Sequence, residues 1–257
     1  MVNKMLQNPT VVKPRYALFD GLRGATMLSM VLYHFSYDLF VIAKNHSQWP
    51  TLPAVHLWQQ SICCTFILLA GFCWHWGRAR SLRRGLLVNA CGLLITLITW
   101  LFMPGQLVVF GVLNFIGCAI LLTIPMHRLL DKIPCGAGIA VTALLFCFTK
   151  TIQWGSVGLF SWQIKVPGQL YTPLLTIFGF PAPGFWSSDF FPMMPWIFLF
   201  WLGYFLSCAF RKYTGRREWA MVRLPGFSRL GHWSLPVYML HQPLCFAAAM
   251  ALAEFLR

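Results

Sequence analysis

A chain of 257 residues that is 58% hydrophobic and only 10% charged is not an ordinary soluble domain, in which about a quarter of residues carry charge. Its apolar residues fall in helix-length runs with little two-residue alternation, which argues for an all-α polytopic transmembrane bundle over a membrane barrel. The formal charge of +14 comes without zinc-finger spacing or an aromatic-and-basic single-strand platform, so it reads as membrane orientation and excludes nucleic acid as a partner.

The first 16 residues are polar and basic and show no cleavable-signal pattern, so the first span is expected to be an uncleaved anchor. About seven spans are predicted, over 22–43, 58–77, 85–103, 107–126, 133–149, 190–210 and 233–253, within a single integral-membrane domain covering 1–257. Threaded this way, sixteen Lys and Arg lie on one side and four on the other, which predicts a cytoplasmic N-terminus and a C-terminus outside. The 150–189 stretch becomes a long extracytoplasmic loop, rich in Pro, Gly and Trp and nearly uncharged, of the kind that covers a site or forms an interfacial belt.

The first span carries Asp20, Arg23, His34 and Asp38. An ionisable group at bilayer depth costs roughly 2.5–3.5 kcal/mol, so such groups face a partner or a wet cavity. Arg23 and His34 return to nearly one helix face, about 16 Å apart along the axis, and His34 and Asp38 stand at i,i+4. His34/Asp38 reads as a general base with its orienting carboxylate, or as a buried polar pair joining helices. His46 follows in the first outer loop, where an acceptor could arrive.

The run Gly77–Gly85, GRARSLRRG, reads as a tight basic loop. Positive-inside bias accounts for it; Arg80, Arg83 and Arg84 would also clamp phosphate, since guanidinium binds phosphate bidentately. Asn114 lies within the fourth span, lining a site or bonding a neighbouring helix. Asp189 stands where the outer loop enters the sixth span, as a cap for that helix or a contact for an amine or hydroxyl acceptor. His241 and Gln242 lie near the middle of the last span and need buried partners. His56, His75, His127 and His232 read as interfacial, and without HExxH-type spacing no metal is expected. The nine cysteines, with no CxxC pair, read as packing residues.

Five blocks in register, FDGLRGATMLSMVLYHFSYDL, FILLAGF before RARSLRRG, FGVLNFIG, DFFPMMPWIFLFWLGYFL and GHWSLPVYMLHQPL, resemble the heparan-α-glucosaminide N-acetyltransferase catalytic family in its short bacterial branch. Arg23 followed by His34 also resembles the arginine–histidine signature of membrane O-acyltransferases acting on surface sugars, and Arg80-x-x-Arg83 is similar to a cytoplasmic motif of that group. The resemblance implies acetyl-CoA as cytoplasmic acyl donor, with transfer of an acetyl or short acyl group to an amino or hydroxyl group of an extracytoplasmic sugar or glycolipid. It implies His34 as catalytic histidine, Asp38 as its partner, and Arg23, Arg80 and Arg83 as cofactor-side cations. His46 is a second match for the reactive histidine, and Asn114 departs from the His or Gln of relatives. Expected partners are acyl-CoA, the acceptor, membrane lipids and a second copy in a homodimer. The alternative is a transporter or lipid-handling protein with a polar intramembrane path.

Overall fold

A computed structural model describes residues 16–44, 46, 48–213 and 218–255. The basic tail up to Arg15, together with Asn45, Arg216, Arg217 and Arg257, lies outside the described residues. Seven helices among those described are long and apolar enough to cross a membrane: Ala17–Ala43, Pro53–Phe72, Trp74–Phe102, Val112–Leu130, Cys135–Trp154, Met193–Lys212 and Ser234–Phe255. The all-α polytopic reading holds, and each predicted span has its helix.

We label α1 Ala17–Tyr37, α2 Pro53–Phe72, α3 Trp74–Gly77, α4 Ser81–Phe102, α5 Val112–Leu130, α6 Cys135–Thr149, α7 Met193–Tyr213, α8 Phe227–His232 and α9 Ser234–Phe255. A π-helical turn, Asp38–Ala43, continues α1. The edges differ from the prediction for local reasons. Pro53 at the first helical position, behind extended Leu52, starts α2 early. Arg83 and Arg84 sit inside α4 rather than in a loop, because Arg is a good helix former and Arg78–Arg80 alone makes the reversal. Met194 keeps an extended backbone (φ −93°, ψ 135°), as residues before proline do, so regular helix in α7 begins at Pro195.

α7 packs against α2, α5 and α6, over a core of Ile67, Phe115, Phe191, Trp196, Phe200, Tyr204 and Phe205. α1 packs against α2, α8 and α9, burying Met27, Met30, Tyr33 and Ile62. α4 lies along α5.

Two crossings are set by paired glycines. On α2 and α7, Gly71 abuts the Phe200 carbonyl while Gly203 abuts that of Leu68; on α1 and α8, Gly24 faces the Phe227 carbonyl and Gly231 that of Asp20. Missing side chains let the backbones approach, the usual device of lipid-embedded helix pairs.

The 150–189 stretch contains no spanning helix. It folds as a hairpin, β1 Ser156–Leu159 with β2 Trp162–Lys165, followed by short 3₁₀ turns. Its end is tied to the chain before α5: Ser188 N–H donates to the Leu107 carbonyl (2.9 Å) and Phe191 N–H to that of Phe110 (3.0 Å).

Candidate active site

At one end of the α1 stripe, His34 meets His241 of α9, with ring centroids 4.8 Å apart and planes at 64°. His241 Nδ1 lies 2.6 Å from the Tyr238 carbonyl. A carbonyl only accepts, so Nδ1 carries the proton and Nε2 keeps its lone pair. That Nε2 is buried without a partner. Asp38, fully buried, accepts from Gln242 Nε2 at 3.1 and 3.3 Å. This fixes the amide orientation and leaves Gln242 Oε1 buried and unpartnered. An unmet buried polar atom costs about 1–3 kcal/mol, so two on successive residues of α9 require an explanation. Both are acceptors, suited to an N–H or O–H of a bound molecule.

The expected His34–Asp38 hydrogen bond is not formed among the described residues: Asp38 bonds Gln242, and His34 faces His241. Asp38 still stands one regular turn beyond His34, its backbone N–H bonded to the His34 carbonyl before the π turn opens; its carboxylate is taken instead by the Gln242 amide of α9.

The other end of the stripe is basic. Arg23 Nη1 lies 3.3 Å from Asp20 Oδ1, and its Nη2 donates to Cys73 Sγ at 3.2 Å. Arg84 of α4 lies within Coulombic reach of both Arg23 and Cys73. Its guanidinium lies against Gly77, where a Cβ would collide with it, and its Nε is buried without a partner. Two guanidiniums, one of them incompletely bonded, thus lie near each other, and guanidinium is suited to anions with several oxygens. Arg80 and Arg83, expected beside them, are solvent-exposed.

The remaining predicted residues separate. Asn114 sits in the α4–α5 seam, tight against Gly92, donating to the Asn89 carbonyl at 3.5 Å; no hydrogen bond or ring contact joins it to His34. His46 is exposed, held through its backbone N–H to the Phe40 carbonyl at 2.8 Å. A groove of about 210 Å³ lined by Thr26, Ser29, Ser61 and Thr65 lies between α1 and α2, but Ser29 is about 120° around α1 from Arg23, off the stripe.

Asp189 caps a different helix from the one expected. Its Oδ2 accepts from Val112 N–H at 3.3 Å, at the start of α5, because the irregular stretch 187–191 is bonded alongside 107–110. Asp189 is also within Coulombic reach of Tyr33, Cys63 and Tyr238, placing its charge near the His34 end. Burial pushes its carboxyl from 3.8 up to about 6, against the opposing effect of the Val112 N–H. The folded state therefore holds this proton more tightly than the unfolded chain. The stability linked to it is fully present below about pH 4 and lost as pH rises through about 6. Asp189→Asn keeps an acceptor for Val112 and removes the titration. Thermal unfolding across that window should show a flatter pH dependence for Asp189→Asn than for wild type; identical slopes would show that Asp189 titrates normally.

His34 and His241 are 207 positions apart, and Arg23 and Arg84 are 61 apart, so no local spacing announces either pairing. The only available signal was a polar residue inside an apolar run. Searches of curated proteins and of solved structures each returned no match. A family model described as heparan-alpha-glucosaminide N-acetyltransferase, catalytic, matches residues 15–243. With the polar stripe, six of the seven spans and the start of the seventh inside that match, the chain belongs to the heparan-alpha-glucosaminide N-acetyltransferase catalytic family of membrane acetyltransferases.

Proposed function

We propose that the protein moves an acetyl or similar short acyl group from cytoplasmic acyl-CoA to an amino or hydroxyl group of an extracytoplasmic sugar. The observation that carries this reading is the arrangement along α1. Cations with an unmet donor stand at one end, and about 16 Å away on the same face stands a histidine whose ring partner, His241, carries an unmet acceptor, with a second on the next residue, Gln242.

Arg23 and Arg84 hold donor phosphates, with Arg84 Nε supplying the free N–H. The thioester arm then runs along the stripe to His34. His34 takes the proton of the acceptor amine or hydroxyl as its nitrogen or oxygen bonds to the thioester carbonyl carbon. The C–S bond breaks, and the proton passes from His34 to the departing thiolate. Gln242 Oε1 and His241 Nε2 accept hydrogen bonds from the acceptor and orient it. Asp38 acts through Gln242 as a positioning residue. The acceptor sugar stacks in the outer segment, where Trp154, Phe185 and Trp186 with Gln153 line a cavity of about 250 Å³. The basic end faces the cytoplasm, as the Lys and Arg distribution expects.

Acetyl-CoA binding by calorimetry in detergent tests this. A hydrogen bond to a charged group contributes about 1.5–3 kcal/mol, so Arg84→Ala should weaken binding by about 10- to 150-fold, and Arg23→Ala similarly. Saturable binding that both variants retain at full strength would remove the phosphate role. No binding by folded wild type would remove the acyl-CoA reading and favour transport along the stripe.

A further inference from the structure

A second group of side chains stands apart from the α1 stripe. His75 on α3, Asp131 just after α5 and Cys208 on α7 each offer one atom, all within 4.8 Å of one another. His75 Nε2 lies 3.5 Å from Cys208 Sγ and 4.0 Å from Asp131 Oδ1. Cys135, the first residue of α6, adjoins Cys208 but lies outside that group, so its thiol must swing inward to serve as a fourth donor. We propose that His75, Asp131 and Cys208, with Cys135 as fourth donor, form a binding site for a divalent transition metal of the zinc class.

Bond lengths to zinc of about 2.0–2.1 Å for imidazole and about 2.3 Å for thiolate put tetrahedral N and S ligands about 3.5 Å apart. His75 and Cys208 already stand at that separation. The same construction puts N and O about 3.4 Å apart, so the Asp131 carboxylate has to close on His75 by a fraction of an ångström from 4.0 Å, and on Cys208 from within 4.8 Å. Supporting bonds are in place. Ser207 Oγ meets His75 Nδ1 at 3.1 Å, fixing the ring and leaving Nε2 toward the cluster. Tyr204 O–H donates to Asp131 Oδ1 at 2.5 Å. Metal-bound histidines and carboxylates are normally oriented by such outer bonds.

Imidazole, one carboxylate and two thiolates around a divalent ion leave a single excess negative charge. Arg78 and Arg211 lie within Coulombic reach of His75, and Arg211 also of Cys208, so guanidiniums offset it. Sulfur donors favour zinc or cobalt over magnesium or calcium. The His75 side chain is 6% exposed and that of Asp131 45%, which gives the ion a way in from the Asp131 side. His75, expected at an interface, is thus buried, and the donors come from four separate elements, so no motif spacing could show them. A bound ion would pin α3, the α5–α6 connection and α7 together.

The test loads the reduced full chain in detergent with Zn²⁺ or Co²⁺, desalts it, and measures metal content and absorption. Wild type should retain one metal ion per chain, and the cobalt form should show a thiolate-to-cobalt charge-transfer band. Cys208→Ser and His75→Ala should lose both, and the exposed Cys147→Ser should keep both. Asp131→Asn, which preserves an acceptor for Tyr204, should weaken retention at least tenfold with helical circular dichroism unchanged. Metal-free wild type after loading, whether or not Cys135 and Cys208 are first found as a disulfide, would overturn the site. So would a band that survives in folded Cys208→Ser.

Discussion

His34→Ala is expected to lose acetyl transfer by about 10²- to 10⁴-fold, the range a positioned base contributes, while acetyl-CoA affinity stays at the wild-type value. The separation follows from the distance along α1. The phosphate-holding groups and the proton-handling group are about 16 Å apart, so removing the imidazole leaves Arg23 and Arg84 untouched. Transfer of radiolabelled acetyl to a sugar-amine panel, run beside calorimetry, reads both quantities. Equal transfer by wild type and His34→Ala would move the base elsewhere, with His241 the next candidate because its Nε2 lone pair is free. Quenching during turnover adds a mechanistic distinction: label trapped on histidine would exclude direct attack and replace it with an acyl-imidazole route.

The second large effect is structural. Gly203→Leu should abolish recovery of folded, monodisperse protein. A Cβ on Gly203 would meet the Leu68 carbonyl and lie 2.9 Å from the Phe72 amide nitrogen, and neither backbone atom can rotate away as a side chain could. Across the same crossing, Gly71 is equally pressed against Phe200, so the helices can separate only by opening the core around Phe200 and Tyr204. Even Gly203→Ala should cost more than the 1–3 kcal/mol typical of overpacking, read as a lowered thermal midpoint in detergent. Gly136→Ala is the control: nothing stands within 4 Å of its added Cβ, and a helical Gly→Ala change is neutral or stabilising by about 0.5–1 kcal/mol. A Gly203→Ala protein as stable as Gly136→Ala would show that the crossing is looser than described.

The helices were legible because apolar runs near twenty residues admit few other readings. Their boundaries were harder where strong helix formers carry charge: Arg83 and Arg84 looked like loop residues and instead extend α4 into the basic end. The site was half legible. Arg23 and His34 could be phased on one face by counting along a regular helix. Asp38 could be phased too, one regular turn beyond His34, but not the partner that takes its carboxylate. What sequence spacing cannot supply is which polar residue on another helix completes each bond. Gln242 for Asp38, Val112 for Asp189, and Cys208 for His75 all come from remote segments. Asn114 shows the converse, a polar residue within a span that serves the seam between α4 and α5.

The arginines at the basic end differ in burial, and on the proposed reading this would divide the kinetics of donor capture. Arg78, Arg80 and Arg83 are exposed around the α3–α4 reversal, whereas Arg84 is half-buried with an enclosed Nε. Exposed charges act through the solvent over about a Debye length, drawing a polyanion toward the surface and setting the rate of encounter. The enclosed guanidinium acts only after contact and sets how long the anion stays. If the donor binds there, added salt should slow its arrival far more than it hastens its departure, with two arginines in one turn of α4 governing opposite halves of the same equilibrium.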